Sequence, residues 1–179
     1  TPAAPTGQWL ARVSLGGAVF EKAIRVDAIK PNRMKIDMRL GDGKRIDARK
    51  FTGSLTAKWL HGAPADGAKV TLQAQLRQIP TRFKGYEKYS FDDATKYFET
   101  EEREIVSGTT DQQETLQLTT GGLASLEGLS PGMLSGKFTV KVFEKSGDFS
   151  VDQQVATVSP YDTYFGIGVA TQKSDWGDE

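Results

Sequence analysis

The sequence contains no cysteine and only one histidine, His61. Without cysteine, the chain holds no disulfide framework, no thiolate zinc site, no cysteine nucleophile and no thioester. With one histidine it has no multi-histidine metal site, and histidine-based catalysis would depend on His61 alone. We therefore expect neither a metal ion nor a cofactor, and we expect that this chain is not an enzyme.

The sequence also lacks an excess of either charge and any long hydrophobic run. Lys+Arg and Asp+Glu both number 23, a balance that argues against a nucleic-acid partner. No segment approaches the roughly 20 apolar residues of a membrane helix, so no transmembrane segment is expected in this fragment. The opening residues, Thr1–Gly7, resemble a linker rather than a signal peptide, and we interpret the chain as a piece of a larger protein.

The dominant pattern is an alternation of apolar and polar residues with a period of two, clearest at 34–40, 70–76 and 138–142. Weaker strand patterns cover Trp9–Leu15, Phe20–Ile29, Gly53–Leu60, Glu114–Thr119 and Phe149–Val158. Turn sequences that contain glycine separate many of these segments. Strands with one buried and one wet face are typical of antiparallel sheets, so the sequence predicts an all-β antiparallel sandwich.

Two stretches leave alternatives open. Residues 94–106 are rich in helix formers and could be capped by Asp92 or Asp93, but their apolar residues form a poor helical stripe. Helix and strand are equally favoured there. Residues 121–132, with leucines at 123, 126 and 129, could form a helical turn or a loop.

An internal echo suggests where domains begin and end. The segment Gly7–Val13 aligns with Gly136–Val142 at an offset of 136 − 7 = 129 residues. Without a gap, the same offset pairs Phe20 with Phe149 and Pro31 with Pro160. The echo predicts a closing hairpin of a preceding domain at 1–30, one complete sandwich domain at 31–158, and a tail or the start of a following domain at 159–179.

Several motifs occur in an order that resembles a known family. They are the Gly-x-Trp of residues 7–9, the segments 26–36 and 51–64, the Gly-x-Pro of residues 62–64 with Gly67, and the aromatic segments 83–86, 91–93 and 98–101. The motifs up to Gly67 resemble the junction between two macroglobulin domains of bacterial α2-macroglobulin, and the aromatic segments resemble the middle strands of such a domain. The resemblance covers most of residues 7–165 and implies a β-sandwich of immunoglobulin- or fibronectin-like type.

The resemblance also implies a function. Members of this family are large, exported, multidomain proteins that trap proteases, and many capture the attacker through a thioester. Because this chain has no cysteine, the resemblance implies a non-catalytic scaffold segment. Its partners would be the neighbouring domains of the same chain and, through the full-length protein, target proteases. The implied location is the periplasm or the cell envelope, with a lipid anchor on the full-length protein.

Three groups of residues are weak candidates for chemistry. His61 follows a strand and has no nucleophile or acid beside it in sequence, so a surface histidine next to a turn is favoured. The pairs Gly16-Gly17 and Gly121-Gly122 lack the spacing of a phosphate loop. The remaining group is acidic and could bind Ca²⁺ or act as a glycosidase pair, but its spacing favours a solvated polar edge. Its members are Asp92, Asp93, Glu99, Glu101 and Glu102.

A cluster of aromatic residues is the strongest candidate for an interaction site. Five aromatic side chains fall within a short stretch and could form a platform for a sugar or a partner protein. They are Tyr86, Tyr89, Phe91, Tyr97 and Phe98. Packing in the core and rim of the sandwich is the simpler interpretation. The alternative function is therefore a carbohydrate- or protein-binding module of a bacterial surface protein.

Overall fold

A computed structural model of the chain describes residues 7–26, 31–43, 45–119 and 121–168. The chain divides into two compact units, residues 1–31 and 32–179. Each unit is built from strands, which confirms the prediction of an all-β fold. Within these residues, no helix has the length and apolar character needed to cross a membrane.

The first unit is a hairpin of two antiparallel strands, β1 (Gly7–Leu15) and β2 (Ala18–Val26). Gly16 and Gly17 form its turn with φ angles of 57° and 83°, values that glycine adopts at little cost. Cross-strand pairing places one mostly apolar set of side chains on the same face. This apolar face comprises Trp9, Ala11, Val13, Leu15, Ala18, Phe20 and Ile24, and it also includes Lys22 opposite Ala11.

The second unit contains two main sheets. Its strands are β3 (Met34–Leu40), β4 (Arg45–Asp47), β5 (Thr52–Trp59), β6 (Lys69–Gln78), β7 (Tyr89–Ser90), β8 (Glu101–Thr109), β9 (Thr115–Thr119), β10 (Leu134–Phe143), β11 (Phe149–Ser159) and β12 (Ile167–Gly168). The five-stranded sheet has the order β4-β11-β10-β6-β8, and the three-stranded sheet has the order β3-β5-β9. Strands β7 and β12 form a small separate ladder.

The core of the second unit forms from the inward-facing residues of both sheets. The alternation at 34–40, 70–76 and 138–142 places every second side chain in this core. Phe51 and Phe138 are at most 1% exposed, and their rings stack with centroids 6.1 Å apart. Their neighbours include Met34, Leu40, Leu55, Leu72, Leu76, Leu118, Leu134, Val140 and Val142.

The structure decides the two ambiguous stretches. Residues 94–100 contain no regular element, and residues 101–109 form β8. The ladder between β6 and β8 shifts register between Leu72 and Gln73. Leu72 pairs with Val106 and Gln73 pairs with Glu104, so Ile105 has no partner residue in the ladder. Ile105 is buried, so the extra residue at the register shift contributes a side chain to the core. In the second stretch, residues Ala124–Leu126 form a short 3-10 helix.

The internal echo fails in the returning strand of the second hairpin. In the first unit, Val13 pairs with Phe20, so the offset predicts that Val142 pairs with Phe149. Instead Val142 lies opposite Ser150. A shift of one residue reverses the face of every side chain in a strand, so the predicted equivalence of Phe20 and Phe149 is wrong.

A longer turn causes this shift. Gly16-Gly17 alone connects the strands of the first hairpin, whereas residues 144–148 connect β10 to β11, with Glu144 N–H bonded to the Asp148 carbonyl at 2.7 Å. As a result, Phe149 is 46% exposed, although Phe138 of the same ladder is fully buried. The sequence echo could not distinguish these faces, because residues 20 and 149 are both phenylalanines in strands.

Candidate functional site

The segment between β6 and β8 is held in place by polar contacts at its base. The Asp92 carboxylate accepts a hydrogen bond from the Thr81 N–H at 3.1 Å. The Thr81 hydroxyl in turn accepts one from the Met133 N–H at 2.7 Å. A Cβ added at Gly132 would lie only 2.1 Å from the Asp92 carboxylate. These contacts fix both ends of a loop whose sequence carries most of the predicted aromatic cluster.

Four aromatic rings of this loop gather into one cluster. The rings of Phe83 and Phe91 meet edge to face with centroids 4.8 Å apart. Tyr86 and Tyr89 lie 6.0 Å apart, and each lies within 6.5 Å of Phe91. Tyr86 and Tyr89 remain 57% and 46% exposed. The loop therefore presents an aromatic surface that is open to solvent.

The end of the described chain packs against this loop. β12 pairs with β7, with Ile167 opposite Ser90 and Gly168 opposite Tyr89. A Cβ at Gly166 would lie 2.7 Å from the Phe91 ring, and one at Gly168 would lie 2.9 Å from the Tyr89 ring. Only glycine lets the backbone approach so closely. Residues 159–168 thus close one side of the aromatic loop.

Arg45, from the short edge strand β4, provides a positive charge beside the aromatic loop. Its guanidinium lies 5.9 Å from the centroid of Phe83 and 6.0 Å from that of Tyr164, within the range of cation–π contacts. It donates a hydrogen bond to the Ser159 hydroxyl at 2.8 Å, and that hydroxyl lies 2.8 Å from the Tyr164 hydroxyl. The guanidinium is therefore held by two rings and one polar contact.

Together these groups line a cleft of about 580 Å³, which we call the aromatic cleft. Its lining residues are Arg45, Phe83, Tyr86, Tyr89, Phe91, Asp162, Thr163, Tyr164 and Gly166. Asp162 forms an ion pair with Arg49. The cleft thus combines several ring faces with one cation, the Arg45 guanidinium. Among the described residues, no carboxylate lies within ion-pair distance of Arg45, and Asp162 is paired with Arg49.

The structure brings together only part of the predicted aromatic set. Tyr86, Tyr89 and Phe91 share the cleft, but Tyr97 is 79% exposed outside its lining and Phe98 is buried in the core. Phe98 therefore cannot belong to an interaction surface. Arg45 and Tyr164 were not predicted from the sequence, since no local pattern links these distant positions to the loop.

The other predicted candidates have ordinary structural partners. The His61 ring stacks on Trp59 with centroids 6.0 Å apart. Glu101 forms an ion pair with Arg103. The hydroxyl and N–H of Thr95 donate to Asp93 and lower the pKa of that carboxyl. Across the described residues, no group of three or more potential metal ligands comes together.

Comparison with known families identifies the second unit. The family model described as the bacterial alpha-2-macroglobulin MG5 domain matches residues 32–160. The chain belongs to the bacterial alpha-2-macroglobulin family. This match confirms the resemblance seen in the sequence. No curated protein sequence matches the chain.

Solved structures of bacterial alpha-2-macroglobulins share the fold. The native Escherichia coli protein is 21% identical with a TM-score of 0.63, over 91% of this chain and 10% of its own. The trypsin-activated form of that protein is 21% identical with a TM-score of 0.56, over 91% and 11%. The Salmonella protein reacted with methylamine is 20% identical with a TM-score of 0.58, over 92% and 11%. This chain thus spans about a tenth of the length of these proteins.

Proposed function

We propose that the chain is a non-catalytic scaffold and interaction segment of a large bacterial alpha-2-macroglobulin that traps proteases. The observation that carries this proposal is the match of the MG5 family model to residues 32–160. The Escherichia coli relative has been solved in a trypsin-activated form, which supports a protease as the eventual partner of the whole protein. The chain itself contributes no cysteine for a thioester.

The domain organisation forms part of this proposal. We assign residues 1–30 to the closing hairpin of a preceding macroglobulin-like domain and residues 31–158 to one complete sandwich. The apolar face of the hairpin supports the first assignment, since Trp9, Val13 and Phe20 are 46%, 60% and 61% exposed. A two-stranded hairpin with such a face is marginal in water and needs further strands to cover it. We assign residues 159–179 to the start of a following domain or to a tail.

The proposed location is outside the cytoplasm, in the periplasm or the cell envelope, with the full-length protein anchored by a lipid. This placement follows from the family and not from a feature of residues 32–160. Fractionation of cells that express the full-length protein would test it. Recovery of the protein with the cytoplasmic fraction would contradict the placement without affecting the fold or the family.

Protease trapping is tested with the full-length protein that contains this chain. The protein is mixed with trypsin, and cleavage of casein is compared with cleavage of a small chromogenic peptide. Because an enclosed protease is shielded from large molecules, cleavage of casein should fall while the small peptide is still cleaved. Inhibition of neither substrate would contradict the proposal.

The matched control is the 179-residue chain alone at the same molar concentration. A scaffold segment has no means to enclose a protease, so it should leave the cleavage of both substrates unchanged. Inhibition of trypsin by the chain alone would show a direct inhibitory site and would overturn its assignment as a scaffold.

A further inference from the structure

The aromatic cleft is a built site for which the scaffold role gives no reason. Tyr86 and Tyr89 expose about half of their surfaces. Their loop is fixed at its base by Asp92 and at its side by Gly166. A ligand would therefore meet ring faces that are already in position, which lowers the cost of ordering them on binding.

We propose that the aromatic cleft binds an acidic carbohydrate, in which a sugar ring carries a carboxylate. The C–H face of a pyranose is apolar and packs on aromatic rings, while tyrosine hydroxyls are available to sugar hydroxyls. Tyr86, Tyr89 and Phe91 supply such rings on one side of the cleft. A cleft of about 580 Å³ has room for one or two sugar rings.

The Arg45 guanidinium gives the cleft a preference for a ligand that carries a negative charge. A guanidinium is planar and binds carboxylates with two parallel hydrogen bonds. Its position is fixed by Phe83, Tyr164 and Ser159, and the acid that shares the cleft, Asp162, is paired with Arg49.

Three basic residues lie next to the exposed tyrosines in the sequence of the loop. Arg82, Lys84 and Lys88 flank the exposed tyrosines, and the acidic residue among them is Glu87. The Gly85 N–H donates to the Glu87 carboxylate and lowers its pKa. Residues 82–89 thus carry three basic side chains and one acidic side chain, a local positive charge that attracts an anionic ligand, while the whole loop 79–100 has four charges of each sign.

The backbone around the cleft favours a sugar over an extended peptide. Peptides that dock on sheet proteins commonly add a strand to an open edge. The two strands at the cleft, β7 and β4, have only two and three residues, so they offer an added strand little backbone to pair with. The groups that remain for a ligand are thus ring faces, tyrosine hydroxyls and a guanidinium, which match the chemistry of an acidic sugar.

The proposal is tested by NMR titration of the 179-residue chain. The probes are oligosaccharides of glucuronic acid, galacturonic acid and N-acetylmuramic acid, with neutral N-acetylglucosamine oligosaccharides of equal length as the comparison. At least one acidic probe should bind with a dissociation constant of about 1 mM or lower. The neutral probe should bind at least about tenfold more weakly, since it offers Arg45 no carboxylate.

Matched variants locate the site. Tyr89→Ala and Tyr86→Ala remove ring faces, and Arg45→Gln removes the charge while it keeps a donor for Ser159. Each variant should weaken binding of the acidic probe about tenfold, and Arg45→Gln should abolish the preference for it. Tyr97→Ala, which alters a more exposed ring outside the cleft, should leave binding unchanged.

Four results would overturn the proposal. They are the absence of binding by every acidic probe at about 5 mM, equal affinity for neutral and acidic probes, binding that survives the cleft variants, and tighter binding of an acetyl-Phe-Asp peptide than of any sugar. Preserved amide spectra of the variants would exclude unfolding as the cause of lost binding. None of these results bears on whether the full-length protein traps proteases.

Discussion

Phe51 and Phe138 stack in the core of the second unit, with ring centroids 6.1 Å apart and an interplanar angle of 28°. Phe138 belongs to the five-stranded sheet, and Phe51 precedes the first residue of β5 in the three-stranded sheet. The pair therefore connects the five-stranded sheet to the three-stranded sheet through the core. It also explains why residue 136 is glycine, since a Cβ there would lie 2.6 Å from the Phe138 ring.

The first prediction concerns this pair. Phe138→Ala should lower the free energy of unfolding of the second unit by about 3–5 kcal/mol, because it removes a fully buried ring and leaves a cavity. Urea unfolding followed by circular dichroism measures the change. Phe149→Ala is the matched control, since Phe149 lies in the same ladder but is 46% exposed. A loss for Phe149→Ala as large as that for Phe138→Ala would contradict the assigned register.

The second prediction concerns Asn32 at the start of the second unit. Its side-chain amide donates to the Val151 carbonyl at 2.8 Å and accepts from the Val151 N–H at 2.9 Å. β4 pairs with β11 only at Thr157–Ser159. The Asn32 side chain therefore provides hydrogen-bond partners for the Val151 backbone, which lies outside that ladder. Asn32→Ala should destabilise the second unit by about 1–3 kcal/mol, as measured by chemical denaturation.

Asn32→Asp provides the control for this geometry. The aspartate keeps the acceptor for the Val151 N–H but loses the donor to the carbonyl, so its stability should lie between those of the wild type and Asn32→Ala. Equal stability of all three proteins would show that solvent replaces both hydrogen bonds without cost.

The third prediction concerns Gly166, where the end of the described chain meets the aromatic loop. Alanine at this position would place its Cβ 2.7 Å from the Phe91 ring, and overpacking of this kind costs about 1–3 kcal/mol. The β12–β7 ladder should open more often, and the amides whose hydrogen bonds form this ladder should exchange their hydrogens about tenfold faster or more. Gly121→Ala is the control, because a Cβ there has no neighbour within 4 Å. Unchanged exchange in Gly166→Ala would show that β12 does not rest on Phe91.

The strands could be predicted because their chemistry is local. Alternation at 34–40, 70–76 and 138–142 reflects one buried and one exposed face, and each segment became a strand with that pattern of burial. The strand β8 could not be predicted in the same way. Its register shift opposite Leu72 and Gln73 depends on pairing with β6, which no local window contains.

The aromatic cleft was predictable only in part, for a related reason. Tyr86, Tyr89 and Phe91 are close in sequence, so their cluster was visible. Arg45 and Ser159 lie 114 residues apart and meet through a hydrogen bond, because the fold places β4 beside the end of β11. Adjacent position in the sequence also grouped Phe98 with the cluster, although this side chain points into the core.

The last prediction concerns the independence of the second unit. Its buried apolar residues extend from Met34 to Val158, and all of them belong to residues 32–179. A chain that begins at Asn32 keeps this core and the Asn32–Val151 hydrogen bonds. Deletion of residues 1–31 should therefore leave a folded protein, with an unfolding free energy within about 1 kcal/mol of that of the full chain.

Trp9→Ala in the full chain tests the same relationship without truncation. Trp9 is 46% exposed in a two-stranded hairpin, so its loss should change the unfolding free energy of the second unit by less than about 0.5 kcal/mol. Amide spectra of the deleted chain should retain the signals of residues 32–168. If the deletion abolishes this spectrum, or if Trp9→Ala costs as much as Phe138→Ala, residues 7–26 are integral strands of one larger domain and the proposed boundary near Pro31 is wrong.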